Sequence, residues 1–322
     1  MPEWLVERGI GETRAALVDA GEIVEARVEL DGFVREGSVV QARLKNRGVD
    51  GRNAVAISED GIEYLLPAGA RQITEGASLA IEITREAIPG VEPWKRARAR
   101  VTESGPVAAL PLSERLGGRD LAFPTPRDEL GDAGWVDLVD EARTGVIAFA
   151  GGELRISPTP AMTLIDVDGY LGAEELALVG AREAARSIRR LDIGGSIGID
   201  LPTVGSKAVR QSAAQAIDSA LPQPFERTAV NGFGFVQIVR PRMRASLVEL
   251  AQDRAAFEAR VMLRRVSLEG AGGRRLVAHP AVLAVLEKQP DWLDDLSRQL
   301  GGPVSLRAEH NLTMSGGYAE SV

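Results

Sequence analysis

The sequence of 322 residues contains no cysteine. A disulfide framework and a metal site built from thiolates are therefore both excluded. No apolar run approaches the roughly 18 residues that a membrane-spanning helix needs, so we expect no membrane partner. The opening residues, MPEWLVERGIGETR, carry acids and lack an apolar segment, unlike a signal peptide. These absences together favour a cytoplasmic protein.

Histidine is almost as scarce, and the usual phosphate-binding loops are missing. His279 and His310 are the only two histidines, and both lie near the C-terminus, far from any serine elbow. Nucleophilic catalysis therefore has little support. The glycine-rich stretch GGSIGIDLPTVGSK contains neither of the two glycine patterns that cradle the phosphates of ATP or NAD. We therefore do not expect a nucleotide-binding loop.

Positive charge is in the minority, since 38 lysines and arginines stand against 46 acids. The resulting net charge of −8 argues against a polyanionic partner. Short basic clusters nevertheless occur in KRARAR (95–100), RSIRR (186–190) and RPRMR (240–244). Such clusters are most often solvated faces, but several in one chain also fit an RNA or DNA surface. Charge alone does not decide between these two interpretations.

Strand patterns dominate the first third of the chain. Three alternating segments fill the first 30 residues, and the turn DAGE predicts a hairpin between the last two. Five further short strands follow up to residue 103. An oligonucleotide-binding barrel and a generic β-barrel or sandwich fit these five strands about equally well. Beyond residues 104–145, strands alternate with helices, which predicts a sheet covered by helices. The predicted fold class is a multidomain α+β protein.

Three acids follow apolar strands in this α/β segment. Asp166 and Asp168 end the strand in TLIDVDG, and Asp200 ends the strand in GGSIGIDLP. The carboxyl edge of such sheets is where ligands bind, and adjacent carboxylates repel one another unless a cation lies among them. Mg²⁺, which takes oxygen ligands, suits this arrangement. The alternative is that Asp200 caps the next turn and Asp168 begins a type I turn before Gly169.

Four segments occur in order in the second half of the chain, namely LIDVDG, AREAARSIRRLDIGG, IGID and NGFGFVQIVRPRMRASL. Together they resemble the catalytic core of the ribonuclease E/G family. The start, EWLVERGIGETRAALVDAGEIVEARVE, resembles the family's opening strands, and HPAVLAVLE with GGPVSLRAEHNL resembles its small end domain. The resemblance covers nearly the whole chain.

The resemblance implies a fold built from an S1-type oligonucleotide-binding β-barrel and a DNase I-like/RNase H-like α/β catalytic core. The implied divisions are N-terminal strands packing on the core (1–35), the S1-like barrel (36–104), a reduced RNase H-like connector (105–155), the DNase I-like catalytic core (156–250) and a small C-terminal helical domain (251–322).

The function implied is a Mg²⁺-dependent endoribonuclease that cleaves single-stranded RNA in RNA processing or decay. Asp166 and Asp200 match the two family aspartates that hold the metal. Asp168, the third catalytic candidate, stands where the family has asparagine, and its added charge could tighten the metal or weaken phosphate binding by repulsion. The alternative is an RNA-binding protein whose catalytic core is degenerate.

Five residues are RNA-contact candidates by position in the same family frame. Lys95, in WKRAR, matches the basic strand of the barrel, and Tyr64 falls at an aromatic position that could stack on a base. The other three are Arg240, Arg242 and Arg244.

Two regulatory parts of the family are missing. Residues 104–145 are too short for the insertion that binds a 5′ monophosphate, although Arg115, Arg119 and Arg127 remain in this stretch. The cysteine pair of the family's zinc link is absent, so a homo-oligomer would have to form without it. Ala56 stands where the family's barrel has phenylalanine. The chain therefore resembles a compact, divergent member.

Overall fold

A computed structural model describes residues 1–50, 52–89, 95–124 and 127–322. The chain divides into two units, each built from segments that are distant in sequence. The first unit comprises Met1–Asp31, Leu112–Arg143 and Leu250–Val322, and the second comprises Gly32–Pro111 and Thr144–Glu249. None of the helices in these described residues combines the length and the hydropathy that a bilayer crossing requires.

Eighteen strands and nine α-helices occur in the described residues. The strands are β1 (Glu3–Arg8), β2 (Glu12–Asp19), β3 (Glu22–Leu30), β4 (Val39–Asn46), β5 (Ala54–Ile57), β6 (Glu63–Leu66), β7 (Ser78–Arg85), β8 (Ala97–Thr102), β9 (Arg119–Leu121), β10 (Val146–Phe149), β11 (Gly152–Pro158), β12 (Thr163–Gly169), β13 (Gly195–Asp200), β14 (Glu226–Arg227), β15 (Phe235–Arg240), β16 (Arg274–Ala278), β17 (Val304–Ala308) and β18 (Tyr318–Ser321). The helices are α1 (Leu112–Leu116), α2 (Glu129–Asp132), α3 (Trp135–Thr144), α4 (Ala173–Arg190), α5 (Lys207–Ala220), α6 (Leu247–Leu250), α7 (Arg254–Ser267), α8 (Pro280–Glu287) and α9 (Pro290–Leu300).

The first unit contains a four-stranded sheet in the order β3-β2-β1-β9. β1, β2 and β3 pair antiparallel, whereas β9 runs parallel to β1. The predicted hairpin is formed by β2 and β3. Its two turn residues, Ala20 and Gly21, both have positive φ (51° and 88°), as a two-residue hairpin turn of the favoured hand requires. The N-terminal strands and a strand from the following connector therefore share one sheet.

Buried ion pairs join this sheet to α7. Glu7 of β1 accepts from Arg14 (2.5 Å) and from Arg264 (2.9 Å), and Arg264 also contacts Asp128 (2.5 Å). Arg14 and Glu7 are almost fully buried. Removing one partner of such a pair leaves a buried charge without compensation, which costs about 3–5 kcal/mol. The network therefore stabilises the packing of α7 against the sheet of this unit.

The second unit contains a closed barrel in the order β4-β5-β6-β8-β7. Its interior is filled by alternate side chains of the strands, among them Leu44, Tyr64, Leu66, Ile81 and Ile83. The region is therefore a closed barrel and not a sandwich, which keeps free edges. Closure alone does not distinguish an oligonucleotide-binding barrel from a generic one.

A six-stranded sheet in the order β10-β11-β12-β13-β15-β14 forms the rest of the second unit. Only β12 and β13 pair in parallel. α4 packs against β11 and β12, and α5 packs against α4. Gly180 lets α4 approach closely, because a Cβ there would lie 2.3 Å from a methyl carbon of Val167. On β12, Thr163, Ile165 and Val167 are buried, whereas the alternate side chains face solvent. The described chain thus has the mixed α+β character that its sequence predicts.

Candidate active site

Asp166 and Asp200 lie side by side at the carboxyl edge of the six-stranded sheet. They are register partners in the parallel pairing of β12 with β13. Side chains of register partners lie on the same face of a sheet. Both residues are exposed, while Ile165 and Ile199 before them are buried. Asp168, two residues further along β12, lies on the same open face. The structure therefore brings the three predicted acids together on one surface.

The acids perturb one another electrostatically. The pKa of Asp166 is raised above its ordinary value, first by burial and then by the negative charges of Asp168 and Asp200. The charge of Arg155, its register partner on β11, acts in the opposite direction. That guanidinium is already paired with Glu153 at 2.5 Å. The edge therefore favours the arrival of a cation.

The carboxylates at this edge fit an open magnesium site better than a closed structural zinc site. Within the described residues, no cation forms an ion pair with Asp166, Asp168 or Asp200. No three histidine, cysteine, aspartate or glutamate side chains converge on one point in that part of the chain. A structural zinc site would need such a cluster, whereas Mg²⁺ is often held by one or two carboxylates together with waters and substrate phosphate. Two neighbouring carboxylates are therefore a donor set of the kind that Mg²⁺ accepts.

The arginines of RPRMR lie at the other end of the sheet. β15 runs antiparallel to β13, so Phe235 is opposite Asp200 and Arg240 is opposite Gly195. Five residues of strand, roughly 17 Å at about 3.4 Å each, separate the two levels. The family resemblance groups these arginines with the three acids. The antiparallel direction of β15 instead places them at the opposite end of the sheet.

Two acids already occupy these arginines. Asp192 accepts from Arg244 at 3.0 Å and lies 3.6 Å from Arg240, and Glu249 pairs with Arg242. Arg244 is 5% exposed. The guanidinium groups of all three arginines are therefore engaged by acids of the protein, which argues against their being RNA contacts. These ion pairs tie the end of β15 to the core.

The same segment joins the sheet to the barrel inside the second unit. The N–H of Glu86 donates to the carbonyl of Met243 at 2.8 Å. Burial raises the pKa of Glu86, while the charge of Arg244 opposes this shift. Burial, followed by the like charges of Arg98 and Arg242, lowers the pKa of Arg85 to about 10. This end of the sheet is therefore a structural junction.

Tyr64 does not present its ring to solvent. It is 1% exposed and lies in the barrel interior, with burial raising the pKa of its hydroxyl. Its register partner on β5 is Ala56, which is also fully buried. A base could not reach Tyr64 without opening the barrel. The alternation that predicts a strand does not indicate which face of that strand points inward.

The basic strand of the barrel keeps its cations on the outside. Lys95 is partly exposed just before β8, and Arg96, Arg98 and Arg100 alternate with the buried Ala97 and Ala99. Arg96 pairs with a glutamate of β6 and Arg100 with one of β7. Arg98 forms no ion pair within the described residues. Arg98 is thus a candidate for phosphate contact, and Lys95 remains a candidate by its position just before β8.

The arginines of the shortened connector do not gather into one cationic pocket. Arg115 pairs with Glu29, Arg127 pairs with Asp132 at 3.1 Å, and Arg119 pairs with Glu3 and Glu129. Arg119 and Arg127 do line a common cleft of about 530 Å³. Three acids line it as well, namely Glu7, Asp128 and Glu129. Carboxylates in this number make the cleft a poor receptor for a phosphate.

Sequence reasoning did not single out three exposed residues at the acid edge. Lys207 begins α5 directly after the loop that follows Asp200, and it has no ion-pair partner in the described chain. Tyr170 follows β12, and Phe233 precedes β15. Tyr170 and Lys207 follow the acidic strand ends closely in the sequence, but their exposure required the structure. The position of Phe233 near Asp200 also required it, because that position depends on the pairing of β13 with β15.

Comparison with known proteins finds similarity to ribonucleases. Ribonuclease G of Escherichia coli is 30% identical over 110 residues, which are 30% of this chain and 22% of that protein. Ribonuclease G of Haemophilus influenzae is 33% identical over 116 residues, or 32% of this chain and 24% of that protein. A chloroplastic ribonuclease E/G-like protein of Arabidopsis thaliana is 23% identical over 272 residues, or 77% of this chain and 26% of that protein.

These similarities are partial. The matched regions span about a quarter of the length of these curated relatives. No family model matches the chain. The comparisons therefore support, at the level of the family, a similarity to ribonucleases of the E/G type.

Proposed function

We propose that this protein is a Mg²⁺-dependent endoribonuclease that cleaves single-stranded RNA. The observation that carries the proposal is the register pairing of Asp166 with Asp200 on an open sheet face, where no cation of the described chain pairs with them. The similarity to proteins named ribonuclease G and ribonuclease E/G-like supports RNA as the substrate.

The proposed roles follow from what each side chain can do. Asp166 and Asp200 would hold Mg²⁺, which when bound supplies positive charge next to the phosphodiester and favours water as the nucleophile. Asp168 would add negative charge beside this pair and so strengthen the attraction for a cation. Lys207, at the same edge, would contact a phosphate of the substrate and offset the repulsion between the acids and the RNA backbone.

The barrel would bind the part of the single-stranded RNA that lies beyond the cleavage site. We interpret it as an S1-type oligonucleotide-binding domain, and we interpret the six-stranded sheet with α4 and α5 as a DNase I-like core. The closed five-stranded topology and the external cations of β8 support the first interpretation. Lys95 and Arg98 would bind phosphates there, so they would add affinity without sequence preference.

Cleavage of a fluorescent, A/U-rich single strand tests the proposal. The purified protein is incubated with Mg²⁺ or with EDTA, alongside Asp166→Asn and Asp200→Asn. Asp294→Asn is the matched control, because Asp294 is an exposed aspartate on α9 without an ion-pair partner in the described residues. We expect cleavage only with Mg²⁺, a loss of at least about 100-fold in both site variants, and normal cleavage by the control.

Two other outcomes have different meanings. Binding without cleavage in every condition would support the degenerate RNA-binding alternative. Cleavage that survives both substitutions would remove the two aspartates from the site.

A further inference from the structure

Two aromatic side chains are exposed next to the acids. Tyr170 is 85% exposed and Phe233 is 81% exposed, the highest values for any aromatic residue of the described chain. Only 4% of the sequence is aromatic, and most of the other rings are buried or half-buried. An exposed ring loses the stabilisation that its burial would give. Two such rings at one sheet edge therefore indicate a binding surface.

Their positions flank the pair of carboxylates. Tyr170 follows the end of β12, beyond Asp166 and Asp168, and Phe233 lies two residues before Phe235, the register partner of Asp200. β13 separates β12 from β15, so the two chain segments are about two strand spacings, or roughly 10 Å, apart. Both therefore lie past the carboxyl end of β13, one on each side of it.

The backbone under each ring is fixed. The carbonyl of Phe233 accepts from the hydroxyl of Thr203 at 3.0 Å, and its N–H donates to the side chain of Asn231 at 2.9 Å. Gly234, at φ +92°, is so close to Leu201 that a Cβ would lie 2.1 Å from its carbonyl oxygen. The N–H of Tyr170 donates to the carbonyl of Gly151 at 3.1 Å. Exposed rings on fixed backbone are pre-organised for binding and lose little entropy on contact.

From this geometry we propose that Tyr170 and Phe233 stack on two nucleobases of bound RNA. These are the bases on either side of the phosphate that would lie next to Asp166 and Asp200. The proposal rests on the proposed function and extends it to the bases. Planar, sequence-tolerant stacking is what exposed rings offer a single strand. A duplex keeps its bases paired and stacked on one another, so the two rings would select unpaired RNA at the point of cleavage.

Binding can be measured without cleavage in an Asp166→Asn background. Tyr170→Ala and Phe233→Ala are compared there by fluorescence anisotropy with a labelled single strand. Tyr318→Ala and Phe33→Ala are the matched controls, because those rings are 41% exposed, one on β18 and the other in the segment between β3 and β4. We expect each site variant to weaken binding about 5- to 150-fold, the equivalent of roughly 1–3 kcal/mol per stacked base, and each control to stay within twofold.

A strand of equal length that carries abasic sites supplies the second arm. If the rings act on bases, this strand binds the background protein more weakly and loses no further affinity in Tyr170→Ala or Phe233→Ala. Equal losses for the normal and abasic strands would show that the variants disturb phosphate contacts, which overturns the stacking proposal. Phe233→Trp and Tyr170→Phe should retain binding, because each keeps a ring.

The arms separate failure of this inference from failure of the proposed function. If Tyr170→Ala and Phe233→Ala, introduced into the wild-type chain, leave its binding and cleavage unchanged, the stacking inference is wrong and the ribonuclease proposal stands. A chain that neither binds nor cleaves single-stranded RNA overturns both.

Discussion

Arg244 and Asp192 form an ion pair of 3.0 Å at the end of the six-stranded sheet opposite to the candidate active site. Their side chains are 4% and 14% exposed, so the pair is almost completely removed from water. The basic cluster RPRMR is therefore part of the scaffold, although its composition also fits a nucleic-acid surface.

Replacing Arg244 should cost stability. Arg244→Ala leaves Asp192 with only the longer contact to Arg240, so we expect the free energy of unfolding to fall by on the order of 3 kcal/mol. Urea denaturation measures this. Arg98→Ala, which removes an exposed cation, should change stability by less than about 0.5 kcal/mol. An Arg244→Ala protein of normal stability with weakened RNA binding would return this residue to the RNA surface.

The barrel cations should act on affinity alone. Lys95→Ala and Arg98→Ala should weaken binding of all single strands alike, because phosphate contacts carry no sequence information. Each should also reduce the slope of log affinity against log salt concentration by about 0.7, the value for one phosphate contact of a single strand. Filter binding at several salt concentrations measures both quantities. An unchanged slope would exclude the residue from the interface.

Asp128 gives the first unit a defined dependence on pH. Burial raises the pKa of this carboxyl, but hydrogen bonds from Arg264 and from the Gly131 N–H outweigh burial and lower it overall. The unfolded chain therefore binds the proton more readily, and the stabilisation is present above the ordinary aspartate pKa of about 3.9 and lost as the pH falls through the lower folded value.

Asp128→Asn tests this dependence while keeping a side chain that can cap α2. We expect the variant to be less stable than the wild type at pH 7, with the difference shrinking as the pH falls below about 4. Chemical denaturation across this range measures it, and Asp294→Asn should show no such convergence. A stability difference independent of pH would mean that charge is not the basis of the contact.

The sequence predicted the parts of the fold that depend on local alternation and turn residues. The strands of the barrel and the exposed acids at the end of β12 follow from a period of two, in which buried residues alternate with solvated ones. The side of the barrel wall on which Tyr64 lies and the end of the sheet at which Arg240 lies depend on pairing between distant strands. Such pairing leaves no local signal, so only the structure could supply it.

The 5′ end of the RNA should not affect the rate. The arginines that remain in the connector are paired with carboxylates, and the cleft lined by Arg119 and Arg127 also contains three acids. We expect equal cleavage of otherwise identical substrates that carry a 5′ monophosphate or a 5′ hydroxyl. A tenfold preference for the monophosphate would correspond to about 1.4 kcal/mol of recognition energy and would show that a phosphate receptor exists elsewhere on the chain.

The most direct measurement of the central claim is the binding of Mn²⁺, a paramagnetic substitute for Mg²⁺, followed by electron paramagnetic resonance. If Asp166 and Asp200 hold one divalent ion between them, the wild-type chain should bind a single Mn²⁺ that Mg²⁺ displaces. Asp166→Asn and Asp200→Asn should each lose this ion while Asp294→Asn keeps it. Binding of Mn²⁺ that is equal in the wild type and in both site variants would contradict the account.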